Sequence, residues 1–320
     1  MRRRQRRILV RRIILCGICV MLPIIIVRGC IIANSGKDEE EARGKGPLVT
    51  VYDDSQKSTF TVNMEDYLVG VIAAEMPASF DIEALKAQAV AARTYTARRL
   101  KEYGGSGCAT GCDICTDSGC CQAWTNPAGF AGTDKYDKIC EAVYSTAGEV
   151  AVYDGELIEA LFHSTAGGYT ENSENVFSTA LPYLKSVYSD ETSAPRYEST
   201  VTISRSQFAR KLNSAFDCEL TADSVDSKVS VSQRYDSGRV QMLSAGGKTV
   251  TGREFRSLFG LDSTNITIEF GKDDVRIHTR GFGHGVGMSQ TGADAKAKEG
   301  SSYIEILKYY YTGISLERYW

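Results

Sequence analysis

The hydrophobic pattern divides the chain before composition is considered. Ile13 to about Ile32 is an apolar stretch interrupted by Arg28 and two glycines. Its length matches the roughly 20 residues that span a bilayer. The twelve residues before it are rich in arginine and hold no acid, while Asp38, Glu39, Glu40 and Glu41 follow it. That asymmetry predicts a basic cytoplasmic tail (1–12), one transmembrane anchor (13–32) and an extracytoplasmic remainder. A cleaved signal peptide is the alternative, though no small-residue cleavage site stands out. Residues 33–47 are polar and read as a tether.

From residue 48 the periodicity changes. Leu48-Val-Thr-Val-Tyr52 and Thr59-Phe-Thr-Val62 alternate as paired strands do. Asn63 is placed to cap a short helix with Glu65 and Asp66 in its first turn, ending before Pro77. Asp81 is placed to cap a longer, alanine-rich helix from Ile82 to about Tyr103, with Ile82, Leu85 and Ala89 on one face. Gly104 stops it and opens a cysteine-rich loop. A helix from Lys135, strands over 149–155 and 156–165, and a strand, glycine-rich loop and helix over 275–311 follow. Residues 195–260 mix short elements. The order predicts an α+β class: one large, irregular catalytic domain over 48–320 with a smaller inserted or appended region.

Charge narrows the partners. Eight of the 37 basic residues lie within residues 1–28 and all 40 acids lie beyond, leaving the remainder at about −11. An acidic exported domain argues against nucleic acid.

Four features carry candidate chemistry. Glu75 is a lone carboxylate among Ile72, Ala73, Ala74 and Met76 at a helix C-terminus. Desolvation and the helix dipole both raise its pKa, as a general acid requires; an exposed helix-end glutamate is the alternative. Cys108, Cys112, Cys115, Cys120 and Cys121 form a cluster. Its spacing suits thiolate zinc ligation, and an oxidising compartment equally permits disulfides. Cys108, Cys115 and Cys121 are the chosen ligands, with Cys112 and Cys120 competing for the fourth place. His163, His278 and His284 show no metalloprotease pattern. Gly281, Gly283, Gly285 and Gly287 alternate; in extended backbone they would leave one face bare for a polymer, and a glycine-rich turn without a ligand is the alternative.

Several ordered blocks carry a resemblance: VIAAEMPASFDIEALKAQAVAARTYTARR (71–99), DICTDSGCCQAW (113–124), FHSTAGGYTENSENVF (162–177), LPYLKSV (181–187) and GFGHGVGMSQTGA (281–293). From about residue 48 onward the chain resembles the stage II sporulation protein D family. The resemblance implies a membrane-anchored lytic transglycosylase. It would cut MurNAc–GlcNAc bonds in peptide-stripped glycan strands during forespore engulfment, in the septal space between mother cell and forespore. It implies partnership with stage II sporulation proteins P, an amidase, and M. Matched onto this chain, it implies Glu75 as catalytic acid and Arg93 as a groove or orienting residue. Tyr183, Lys185, His163, Ser164, His284 and Gln290 become substrate contacts. Relatives often carry histidine where this chain has Cys120, which strengthens thiolate ligation. Amidase-enhancer proteins resemble the same blocks and imply a non-catalytic, glycan-binding alternative.

Overall fold

The computed structural model describes Gly44 and residues 46–320, apart from Ser193. The predicted tail and anchor lie outside those residues. Among the described residues no helix is long and apolar enough to cross a membrane.

β1 (Leu48–Asp53) and β2 (Ser58–Asn63) form the expected antiparallel hairpin, with Leu48 opposite Asn63. The Asn63 side chain accepts from the Glu65 N–H and starts α1 (Met64–Glu75). Met76 is extended, at φ −128° and ψ 140°, because the Pro77 ring disfavours helix in the residue before it. Asp81 caps α2 (Ile82–Ala97) through the Glu83 N–H. This helix stops at Ala97 rather than Tyr103, and the arginines just beyond it, Arg98 and Arg99, both reach Glu159. Ala84, Ala87, Ala89, Ala91 and Ala92 are fully buried. Their small side chains let α2 pack on several neighbours at once rather than on the one face its pattern suggested.

β3 (Ile114–Cys115) adds to β1 in parallel and brings the cysteine loop to the hairpin. α3 (Asp134–Tyr144) and β4 (Glu149–Tyr153) follow as expected. The strand expected over 156–165 is split into β5 (Glu156–Leu157), which pairs with β4, and β6 (Phe162–His163). β7 (Gly168–Tyr169), α4 (Ser173–Phe177) and β8 (Tyr188–Ser189) complete this part.

The smaller region is an insertion. It runs through β9 (Glu198–Ser204), α5 (Arg205–Phe216), α6 (Val225–Lys228), β10 (Val229–Arg234), β11 (Val240–Ala245), β12 (Lys248–Thr251), α7 (Gly252–Phe259), β13 (Asn265–Phe270) and β14 (Asp274–Arg280). Two antiparallel sheets, β10-β11-β12 and β13-β14-β9, enclose a core around Phe208, Leu212, Phe255 and Ile277. The chain then returns to the first core through β15 (Met288–Ser289), α8 (Gln290–Lys298), α9 (Tyr303–Tyr310) and β16 (Ser315–Arg318). β15 pairs in parallel with β6, and β16 pairs with β4. The class is α+β.

One ion pair sits inside the first core. Arg93 Nη2 lies 2.5 Å from Glu65 Oε2, and both side chains are fully buried. Glu65 Oε1 also accepts from the Gly148 N–H at 3.1 Å and the Trp320 Nε1–H at 3.0 Å. Arg93 donates further to the carbonyls of Val143 (3.0 Å) and Glu149 (3.2 Å). The network ties α1, α2, the end of α3, β4 and the C-terminus. Removing one partner strands a buried charge, at a cost of about 3–5 kcal/mol. Arg93→Ala is therefore expected to lower unfolding free energy by about that much in denaturant titration, with activity lost in proportion to the folded fraction. A stable Arg93→Ala protein would contradict this account.

Candidate active-site cavity and cysteine cluster

Three distant segments meet around a cavity of about 1070 Å³. The end of α1 gives Glu75, the chain around β6 gives Phe162, His163 and Ser164, and the glycine loop with the start of α8 gives Phe282, His284 and Gln290. Arg98, Arg99 and Glu159 line it as well, with Cys120 and Cys121, and α7 of the inserted region adds Arg256.

Glu75 is half-buried. Its Oε1 accepts from the Ala123 N–H at 2.6 Å. Burial is the largest influence on its pKa and raises it above 4.5; the Ala123 N–H and the Gln290 amide pull partly the other way. An amide donor on one oxygen leaves the other to carry the proton. Gln290 Nε2 itself has no close hydrogen-bond partner and is buried beside the cavity.

The two cavity histidines are held neutral. His163 Nδ1 meets the Val286 carbonyl at 3.1 Å. A carbonyl only accepts, so the proton is on Nδ1 and the buried, partnerless Nε2 is an acceptor. Burial, then His284 and Arg239, push its pKa well down. His284 Nδ1 accepts from the Val286 N–H at 3.1 Å, and burial with Arg239 pushes its pKa down to about 4. The rings are 5.6 Å apart, tilted at 56°. His278 lies elsewhere, on β14, beside Thr200 and Glu269.

The glycine loop corrects one expectation. Its alternating glycines are not extended: Gly281, Gly283, Gly285 and Gly287 have φ between 74° and 111°. Their bare side faces protein rather than a polymer. A Cβ at Gly287 would lie 1.9 Å from the Leu161 carbonyl oxygen, and one at Gly285 2.4 Å from the Arg239 guanidinium carbon. Glycine serves here for positive φ and close approach. The loop is fastened to the β6 segment by paired backbone bonds between Thr165 and Phe282, at 3.0 and 2.8 Å.

Other expected site residues are not brought to the cavity. Arg93 is in the buried pair with Glu65 and touches neither Glu75 nor the groove. Its helix position gave no sign of this, because the partner lies 28 residues earlier. Tyr183 is buried, and its hydroxyl accepts from the Glu159 N–H at 2.9 Å. Lys185 pairs with Glu174 at 2.9 Å. Neither lines the cavity. Asp81 caps α2 and Glu171 holds Ser237 and Asn175 in a separate buried network, so neither is a second acid for Glu75. The sequence reading missed Arg98, Arg99, Glu159 and Arg256. The Arg98-Arg99 doublet at a helix end was the available signal for two of them.

The thiol sulfurs of Cys108, Cys115 and Cys121 lie within 4.8 Å of one another. No disulfide joins any of the seven described cysteines. Tetrahedral thiolate zinc, with Zn–S of about 2.3 Å, places sulfurs about 3.8 Å apart, so the three fit such an ion. Cys112 is turned toward the Thr59 hydroxyl at 3.7 Å. Cys120 Sγ is 3.8 Å from Cys121 Sγ. Cys121 stands two residues before Ala123, whose amide holds Glu75.

Known proteins are similar to this chain over most of its length. A family model described as Stage II sporulation protein matches residues 52–153. Stage II sporulation protein D of Bacillus subtilis (strain 168) is 36% identical over 289 residues, covering 88% of this chain and 82% of that protein. The protein of the same name from Bacillus amyloliquefaciens is 36% identical over 288 residues, with the same coverage of 88% and 82%. The Amidase enhancer of Bacillus subtilis is 32% identical over 303 residues, covering 79% of this chain and 40% of that protein. The chain belongs to the stage II sporulation protein D family.

Proposed function

We propose that the cavity cleaves peptidoglycan glycan strands as a lytic transglycosylase, from an anchor at the membrane of a sporulating cell. The carrying observation is a protonatable carboxyl without an acidic partner. Glu75 lines the cavity with a raised pKa. The other carboxylate on the wall, Glu159, is held by Arg98 at 3.1 Å and Arg99 at 2.9 Å. Two-carboxylate hydrolysis needs a second free acid as base or nucleophile. One carboxyl suffices when the substrate supplies its own nucleophile.

Glu75 protonates the glycosidic oxygen as the C1–O bond breaks, and an oxocarbenium-like centre develops. The Glu75 carboxylate then takes the proton of the muramyl 6-hydroxyl, whose oxygen attacks C1 and closes a 1,6-anhydro ring. The acid is restored in its starting state. His163 Nε2 accepts from a sugar hydroxyl, and the Gln290 amide donates to a sugar oxygen. At about 1070 Å³ the cavity stands at the upper end of the ~300–1000 Å³ range of ligand sites. Peptide removal upstream fits an amidase partner such as stage II sporulation protein P, with protein M completing the assembly.

A structural zinc suits Cys108, Cys115 and Cys121. When bound it would supply folding energy and hold the 115–123 loop, keeping the Ala123 N–H on Glu75. Similarity to the Amidase enhancer supports a second reading, glycan binding that stimulates an amidase without cutting.

Glu75→Gln is expected to lower cleavage of peptide-free strands by about 10²- to 10⁴-fold, with an unchanged melting curve, because the amide oxygen still accepts from Ala123. Glycan release at the wild-type rate would remove Glu75 from the chemistry and favour the enhancer reading. The acid must be protonated, so kcat/KM should fall as pH rises through a single ionisation above 4.5. A falling limb below that value would contradict the raised pKa.

Metal analysis of protein purified without added zinc is expected to find one equivalent. Cys115→Ser should abolish it and lower stability more than it alters the pH profile. A metal-free protein as stable as the loaded one would refute structural ligation.

A further inference from the structure

The cavity wall is positive on an acidic chain. Arg98, Arg99 and Arg256 line it together with Glu75 and Glu159, and the excess grows when Glu75 is protonated. A positive groove on a chain of net charge −3 selects an anionic ligand. Two of the arginines are already engaged. Arg98 and Arg99 share Glu159, and the Arg99 guanidinium also lies 3.4 Å over the Tyr95 ring. Arg256 is different. It projects from α7, half-buried, and its Nε donates to the Leu261 carbonyl at 3.1 Å. Among the described residues no carboxylate forms an ion pair with it. The acid that most influences it, Asp262, is itself paired with Arg196 at 3.2 Å. Both terminal nitrogens of Arg256 are therefore left for a planar, two-oxygen anion.

We propose that Arg256 binds the free lactyl carboxylate of muramic acid, so that the groove prefers peptide-stripped strands by charge. This rests on the glycan reading of the same cavity. The sugar hydroxyls and N-acetyl groups of such a strand are neutral, and the lactyl group is its one ionised site. While a stem peptide is attached, that carboxyl is an amide and offers no bidentate anion. Removal of the peptide exposes the charge that Arg256 is placed to meet, so substrate choice follows amide hydrolysis without any contact between the two enzymes.

The test uses full-length Glu75→Gln protein, which binds without turnover, and calorimetric titration with three oligosaccharides of equal length. These are a peptide-free MurNAc–GlcNAc oligomer, the same oligomer with its lactyl carboxyls converted to methylamides, and a chitin oligomer without lactyl groups. The carboxylate form is expected to bind about thirtyfold tighter than the methylamide, with the ratio shrinking as salt rises. Adding Arg256→Gln should bring the ratio to about one, while Arg256→Lys retains part of it. Equal binding of carboxylate and methylamide by the Glu75→Gln protein overturns the proposal. So does a preference that survives Arg256→Gln. Failure of all three oligomers to bind overturns the glycan reading itself, and this inference with it.

Discussion

The helix that presents Glu75 is fixed from its other end. Glu65 stands in the first turn of α1 and is locked to Arg93 inside the core, with Trp320 and Gly148 completing its hydrogen bonds. The helical rise over the ten steps from Glu65 to Glu75 carries that anchor about 15 Å. A buried pair is poor evidence of net stabilisation, because desolvation opposes it. Its contribution here is positional. A charge satisfied only by one arrangement of α1, α2, β4 and the C-terminus allows the helix a single placement, and the Glu75 carboxyl inherits that placement.

Beyond that end the constraint passes to loops. Pro77 ends α1 so that Glu75 meets cavity rather than another helical turn. The Ala123 N–H holds one carboxyl oxygen, and the cysteine cluster sits two residues upstream of that amide. On the opposite wall the glycine loop is pressed against Leu161 and Arg239, which sets His284 beside His163. Arg239 comes from the inserted region and donates to the Ala166 carbonyl at 2.7 Å. The insertion thus braces the groove from behind through Arg239 and contributes to its face through Arg256.

Legibility in the sequence followed the range of the interactions. The hairpin, the Asn63 and Asp81 caps and the stop at Pro77 depend on neighbours within a few residues, and all were readable. So was the setting of Glu75, because its apolar neighbours are adjacent in the chain. A thiolate cluster was readable from the density of cysteines in one loop, which carries Cys108, Cys115 and Cys121 together. What escaped needed distant partners. Arg93 read as a groove residue because nothing local announces Glu65 as its counterion. Tyr183 and Lys185 are turned toward Glu159 and Glu174 for the same kind of reason. The alternating glycines suggested extended backbone, whereas their positive φ values answer to segments distant in the chain, Leu161 and Arg239 among them.

The central claim is that one carboxyl acts with the substrate's own hydroxyl. The most direct measurement is mass spectrometry of the muramyl ends released from peptide-free glycan by the full-length protein in heavy-oxygen water. The account predicts 1,6-anhydro ends, lighter by one water than a reducing sugar and free of the label. Reducing ends carrying heavy oxygen would show that water is the nucleophile and would contradict it.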